Sequence, residues 1–171
     1  MELYDAIKDR FSCRRYIDKP IEKDKLDRIL NAARLAPSAK NVQDWRFVII
    51  TDAGMKTKIA QAAGQQMFIA DAAVIIVACT CRTDYIMRCG IPAGVVDVSI
   101  ALEHIALAAT AEGLAACWIG AFDQQAVKTL VSVPPSASIV ELMPVGYPAS
   151  KPIHTPRADI TDIACFEQWN F

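Results

Sequence analysis

Arg10, Ser12, Arg14 and Arg15 fall within seven residues that end at Tyr16, which gathers three guanidinium groups and a hydroxyl just after a short helical pattern. Guanidinium groups stay charged and present a planar fork of donors that pairs bidentately with phosphate oxygens. Such a cluster suits one dianionic phosphate better than it suits a core. Basic residues that follow a helix also complement its macrodipole, and this plainer role competes for the same side chains. Arg15 is the weaker phosphate candidate, because side chains of neighbouring residues diverge.

Two other stretches offer polar chemistry. Pro37 to Gln43 is small and polar, and its Asn41 and Gln43 amides can both donate and accept hydrogen bonds. Gly120, after an apolar run, lets the backbone approach a flat ligand closely because no side chain intervenes. Cys79, Cys81 and Cys89 are near one another, but their spacing matches no zinc or iron–sulfur pattern and both histidines, His104 and His154, are distant in sequence. No metal site is expected. His104, inside an apolar helix, reads as a buried histidine with a partner, and His154 lies in the tail. No triad or carboxylate pair is evident.

These residues must be positioned by a chain of 171 residues, enough for one domain with a real core, and one domain over residues 1–171 is expected. Acidic and basic residues number 19 and 18, so no basic field of the kind nucleic acids require is present. An apolar share of 53% argues for a surface that another protein chain covers. The opening residues carry no secretion signal, and the apolar region near residues 91–111 is broken by Asp97, Glu103 and His104, so a cytoplasmic protein without a membrane span is expected. Six cysteines then read as free thiols.

Leu3, Ala6 and Ile7 give a short first helix over residues 2–9 that leads into the Arg cluster. Leu26, Ile29, Leu30 and Ala33 mark a second helix that ends before Pro37. Trp45 to Ile50 is a strand, with Trp45 and Phe47 assigned to the core. Asp52 opens a helical region over residues 55–71, in one piece or interrupted near Gly64, and Ala73 to Ala78 is a second strand. Residues 93–112 form a helix that is apolar on nearly every side and ends at Gly113. Ala115 to Ile119 is a third strand, Asp123 caps a helix to about Val131, and Ser138 to Val145 supplies a fourth strand. The tail from Pro148, with Pro152 and Pro156, is expected to be extended.

Four islands in this order resemble the nitroreductase family of FMN-dependent oxidoreductases over essentially the whole chain. Arg10, Ser12 and Arg14 resemble its flavin phosphate motif. Residues 36–43, followed by Trp45 and Phe47, resemble its proline-serine-asparagine-glutamine segment, with Asp44 where relatives often have proline and hence a less rigid loop expected. Cys117 to Asp123 resembles the segment beside the isoalloxazine ring, and Gly146, Tyr147 and Pro148 with the later Arg157 resemble the tail that closes the phosphate site.

The resemblance implies an α+β, three-layer α/β/α fold whose mainly antiparallel four-stranded sheet is open to extension by a partner's C-terminal tail. It implies a homodimer with FMN at the interface. Arg10, Ser12, Arg14 and Arg157 would hold the phosphate, and Pro37, Ser38, Ala39, Asn41 and Gln43 would reach the flavin from the neighbouring subunit. A backbone amide in the stretch Ile119, Gly120 and Ala121 would donate to N5 or O4 of the ring. The implied activity passes electrons from NAD(P)H through the flavin, which carries the chemistry itself, to a small acceptor such as a nitroaromatic or quinone. Only the twelve residues Cys81 to Pro92 stand where larger members carry an insertion that shapes the substrate pocket. A flavin-binding sensor or store, flavin-dependent cleavage or dehalogenation on the same fold, and a thiol redox protein using Cys79, Cys81 and Cys89 remain open as alternatives.

Overall fold

The computed structural model describes residues 1–150 and 155–171; Pro152 and His154 of the expected tail lie outside them. Among the described residues, six α-helices and four strands follow one another as α1 Leu3–Asp9, α2 Lys23–Arg34, β1 Trp45–Ile50, α3 Ala53–Ala62, β2 Val74–Thr80, α4 Ala93–Ala111, β3 Ala115–Ala116, α5 Gln124–Val131, β4 Ser138–Gly146 and α6 Ile160–Ile163. The sheet order is β1-β2-β4-β3 and every ladder is antiparallel.

Alternation along β2 assigns the two layers that cover the sheet, since successive strand side chains point to opposite faces. Val74, Ile76 and Ala78 join Ile29 and Ala33 of α2 and Val98, Leu102 and Ile105 of α4 in one core. Ile75, Val77 and Cys79 join Ile59 of α3 and Val127 of α5 in the other. Both faces of β2 are therefore buried, which is why its sequence is a continuous apolar run rather than an alternating one. Trp45 is buried in the first core and Phe47 packs against it, as expected, and Trp118 packs there too.

By length and composition α4 could cross a bilayer, yet 56% of its most apolar stretch is buried inside the fold. It lies between α2, α1 and the sheet. A helix without a polar face is what that enclosed position requires.

Two elements, the third strand and the tail, differ from the sequence expectations, and a third settles a choice they left open. The third strand stops at Ala116 because its neighbour on β4 is Pro144: Cys117 donates its N–H to the Pro144 carbonyl at 3.2 Å, but proline has no N–H to return. Pairing resumes at one isolated bridge between Ile119 and Leu142. The helical region after Asp52 takes the interrupted form of the two expected: α3 ends at Ala62, Gly64 takes a left-handed φ of 66°, and a 3₁₀ turn at Met67–Ile69 follows. The tail is not wholly extended, since Asp159 introduces the single turn α6, whose Ala164 N–H closes onto the Ile160 carbonyl at 3.0 Å.

Candidate functional site

After α1 the backbone becomes extended and runs along the sheet edge. Cys13 donates to the Ala116 carbonyl at 3.0 Å, Ile17 to Tyr147 at 2.9 Å, and Ala149 to Arg15 at 2.9 Å. The Tyr16 hydroxyl donates to the carbonyls of Cys13 (3.0 Å) and Pro144 (3.3 Å), and its burial pushes the phenol well above the usual tyrosine range. Main-chain groups of residues 13–17 are thus tied to β3 and to the residues after β4, which leaves the side chains to line a cleft.

That cleft, about 920 Å³, is walled by Lys8, Arg10, Ser12, Arg14 and Arg15 together with Ile7, Phe11, Ser150, Thr155 and Arg157. Arg10, Ser12, Arg14 and the sequence-distant Arg157 meet here. Arg15 meets them too, although adjacent residues were expected to diverge. None of the five basic side chains forms an ion pair among the described residues. An acid that feels this cluster is Glu103 of α4, half-buried, whose carboxyl is pushed up by desolvation while Arg10 pulls it down. Uncompensated cations around a partly enclosed space form an anion site.

The second polar stretch sits near the N-terminal end of α4. Ala39–Asn41 form a 3₁₀ turn, and the Ala39 N–H is held by Asp97 Oδ1 at 3.0 Å. The Gln43 N–H donates to Ser38 Oγ at 3.0 Å, and Gln43 Nε2 donates to Asn41 Oδ1 at 3.1 Å. Lys40, Asn41 and Gln43 all have left-handed φ of 54–56°, a costly conformation for residues with side chains. Pro37, Asn41 and Gln43 are exposed, Ser38 and Ala39 half-buried, and none of them lines the cationic cleft. Asp97 and Glu103 are six residues apart on α4, roughly 9 Å along its axis.

The loop is not loosened by Asp44. Its buried carboxylate accepts the Thr80 hydroxyl at 2.5 Å and the Arg82 N–H at 3.0 Å, which pins the entry to β1 against the end of β2. Lys40 and Arg82 stack on the Tyr85 ring at 5.1 and 4.4 Å, so the short 81–92 connection is also fastened to this loop.

The third stretch links to the first through Cys117. Its buried thiol is pushed up by desolvation, with Arg14 pulling the other way. The Ile119 amide, expected to face a ligand, is instead spent in the sheet: it donates to the Leu142 carbonyl at 3.0 Å and Leu142 returns a bond at 3.2 Å. The exposed Gly120 and Ala121 amides have no partner among the described residues. Behind Gly120 stands Glu141 of β4, whose carboxyl oxygens would lie 3.5 and 3.6 Å from a Cβ placed there.

His104 has its expected partner, with Nδ1 3.1 Å from the Ala32 carbonyl. Cys79 is buried, its thiol pushed up to about 11 chiefly by desolvation, while Cys81 and Cys89 are exposed. Sequence reasoning did not assign Lys8, Ser150, Thr155, Asp97 or Glu141. Glu141 carried a usable signal as the one acid in an otherwise apolar strand, and Asp97 as one of two acids, with Glu103, in an otherwise apolar helix.

Residues 7–73 and 60–147 match the family described as Nitroreductase family. A Methanothermobacter thermautotrophicus protein provisionally named NADH dehydrogenase/NAD(P)H nitroreductase is 33% identical over 89% of this chain and 80% of its own. The Bacillus subtilis FMN reductase [NAD(P)H] is 29% identical over 91% of this chain and 70% of its own. The crystal structure of a nitroreductase family protein from Clostridium novyi superposes with a TM-score of 0.82, at 33% identity and 86% coverage of both chains.

Proposed function

The chain belongs to the nitroreductase family, and from that premise we propose that it is an NAD(P)H-dependent flavin oxidoreductase that binds FMN and reduces a small acceptor of the nitroaromatic or quinone kind. Its relatives carry names of NAD(P)H-linked flavin and nitro reduction. The observation that carries the reading is the cleft itself, where basic side chains that have no acidic partner among the described residues converge with Ser12 at the edge of the sheet. That donor set fits a phosphate monoester. Arg10, Ser12, Arg14 and Arg157 would hold it, and Arg15 and Lys8 add charge at the rim.

Bound there, the flavin would supply the redox chemistry, taking a hydride from the nicotinamide and passing electrons on. The protein's own part is binding and orientation. Gly120 and Ala121 present free amides along the run that starts at Cys117, beside Arg14, so one element serves both ends of an elongated ligand. Amides fixed in this way cost no reorganisation when charge develops near them.

The Pro37–Gln43 loop lies off the cleft of its own chain, which supports a site completed by a second copy. Pro37, Ser38, Ala39, Asn41 and Gln43 would then reach the partner's flavin. Ile160, Ile163, Phe166 and Trp169 are 66–89% exposed in one chain. A homodimer that covers them, with the tail on the partner's sheet, accounts for that apolar surface. We place the enzyme in the cytoplasm, as one domain over residues 1–171.

The test is the visible spectrum of the purified protein reconstituted with FMN, followed during anaerobic addition of NADH and then NADPH. A flavin spectrum that bleaches supports the reading and identifies the donor. Stable colour points to a sensor or store, and failure to take up FMN overturns the proposal.

A further inference from the structure

Glu141 is out of place by every packing criterion. It lies on β4 opposite Ala78 of β2, and Ala78 in turn pairs with Phe47 of β1, so its row on the sheet is otherwise apolar. It is half-buried and makes no hydrogen bond or ion pair among the described residues. Its carboxyl is pushed above the ordinary glutamate range by desolvation alone. An apolar residue would suit the position better, because a charge taken from water without a partner costs stability. What the carboxyl does have is a specific neighbour, Gly120: a Cβ placed there would meet its oxygens at 3.5 and 3.6 Å, ordinary van der Waals contact.

We propose that Glu141 is a positioning residue that lowers the reduction potential of bound flavin, its carboxylate standing directly behind the Gly120 amide wall against which the ring rests. This inference rests on the flavin reading above. A fixed negative charge behind Gly120 would oppose the extra electron density of a reduced flavin bound there and leave the oxidised form little affected. The effect is large because the site is only partly hydrated. No neighbouring element cancels it. β2 offers Ala78, the 117–121 segment offers the Cys117 thiol, which Glu141 itself pushes up, and the Arg14 guanidinium bears on Cys117, while desolvation alone acts on Glu141. The enzyme's flavin is thereby set as a stronger reductant, suited to acceptors that are hard to reduce.

The experiment measures the two-electron potential of bound FMN at pH 8, and the dissociation constants of oxidised FMN, for the natural protein, Glu141→Gln and Glu141→Leu. Both variants remove the charge, and leucine suits the apolar row should glutamine fold poorly. The expected result is a more positive potential in both, equivalent to about a tenfold rise in the preference for reduced over oxidised flavin, with oxidised FMN bound within about threefold of the natural protein. Potentials that coincide with that of the natural protein overturn the role of Glu141 while leaving flavin binding intact. A natural protein that binds no FMN overturns the flavin reading and this inference with it.

Discussion

Asp97, buried on α4, accepts the Ala39 N–H at 3.0 Å and so fixes the start of a turn in which Lys40, Asn41 and Gln43 all adopt left-handed backbone. A turn that costly holds its shape only if something anchors it. Replacing Asp97 by Ala should remove the anchor and destabilise the fold by about 1–3 kcal/mol, the cost of a partly buried donor left without its acceptor. Asp97→Asn keeps an acceptor oxygen and should lose less. Urea unfolding of the two variants checks the order, and equal losses would mean that the bond to Ala39 is incidental.

The phosphate assignment makes a ligand-specific prediction at Arg14. Arg14→Ala should weaken FMN binding by roughly 1.5–3 kcal/mol, the worth of a hydrogen bond to a charged group, and should affect riboflavin, which lacks the phosphate, much less. Fluorescence titration with both ligands separates the roles. Equal losses for the two would make Arg14 a structural residue.

Gly94, in the first turn of α4, should resist substitution. A Cβ there would lie 2.1 Å from Thr80 Oγ1 and 2.9 Å from Thr80 Cβ, and the hydroxyl cannot simply turn away because it is held by buried Asp44. A Gly-to-Ala change inside a helix ordinarily gains about 0.5–1 kcal/mol. Here overpacking should reverse the sign and cost about 1–3 kcal/mol. Thermal unfolding of Gly94→Ala reads the sign directly, and a rise in midpoint would show that β2 and α4 can part without penalty.

The residues that betrayed the site in the sequence were those whose chemistry is expensive to waste. Clustered arginines need an anion, and Arg10, Ser12, Arg14 and Arg157 do converge on one cleft. Strand and helix placement was legible because β2 and α4 are so apolar that burial on both sides was their only option. What stayed hidden depended on partners across the chain. The fate of the Ile119 amide is decided by Leu142, and the end of β3 by a proline on another strand. Asp44 looked like the loss of a stiff proline until Thr80 and Arg82 were found beside it. Arg15 was set aside on local geometry, but its carbonyl is tied to Ala149 and its side chain is carried to the cleft.

Glu103 gives the fold a pH dependence of defined sign. An ordinary glutamate titrates near 4.5, and desolvation on α4 raises the folded-state value above that, with Arg10 and His104 opposing the rise. Between the unfolded and the folded values the native chain holds this proton more tightly than the unfolded chain does, so its contribution to stability is full below the unfolded value and is lost as pH rises through the folded one. Glu103→Gln cannot lose that proton. The variant should therefore gain stability relative to the natural protein as pH is raised from about 4 to about 7. Arg10→Ala in the natural background should steepen the loss by removing the charge that favours the carboxylate. Unfolding curves collected across that range give the answer, and parallel pH profiles for the natural protein and Glu103→Gln would show that the carboxyl is hydrated as freely in the folded chain as in the unfolded one.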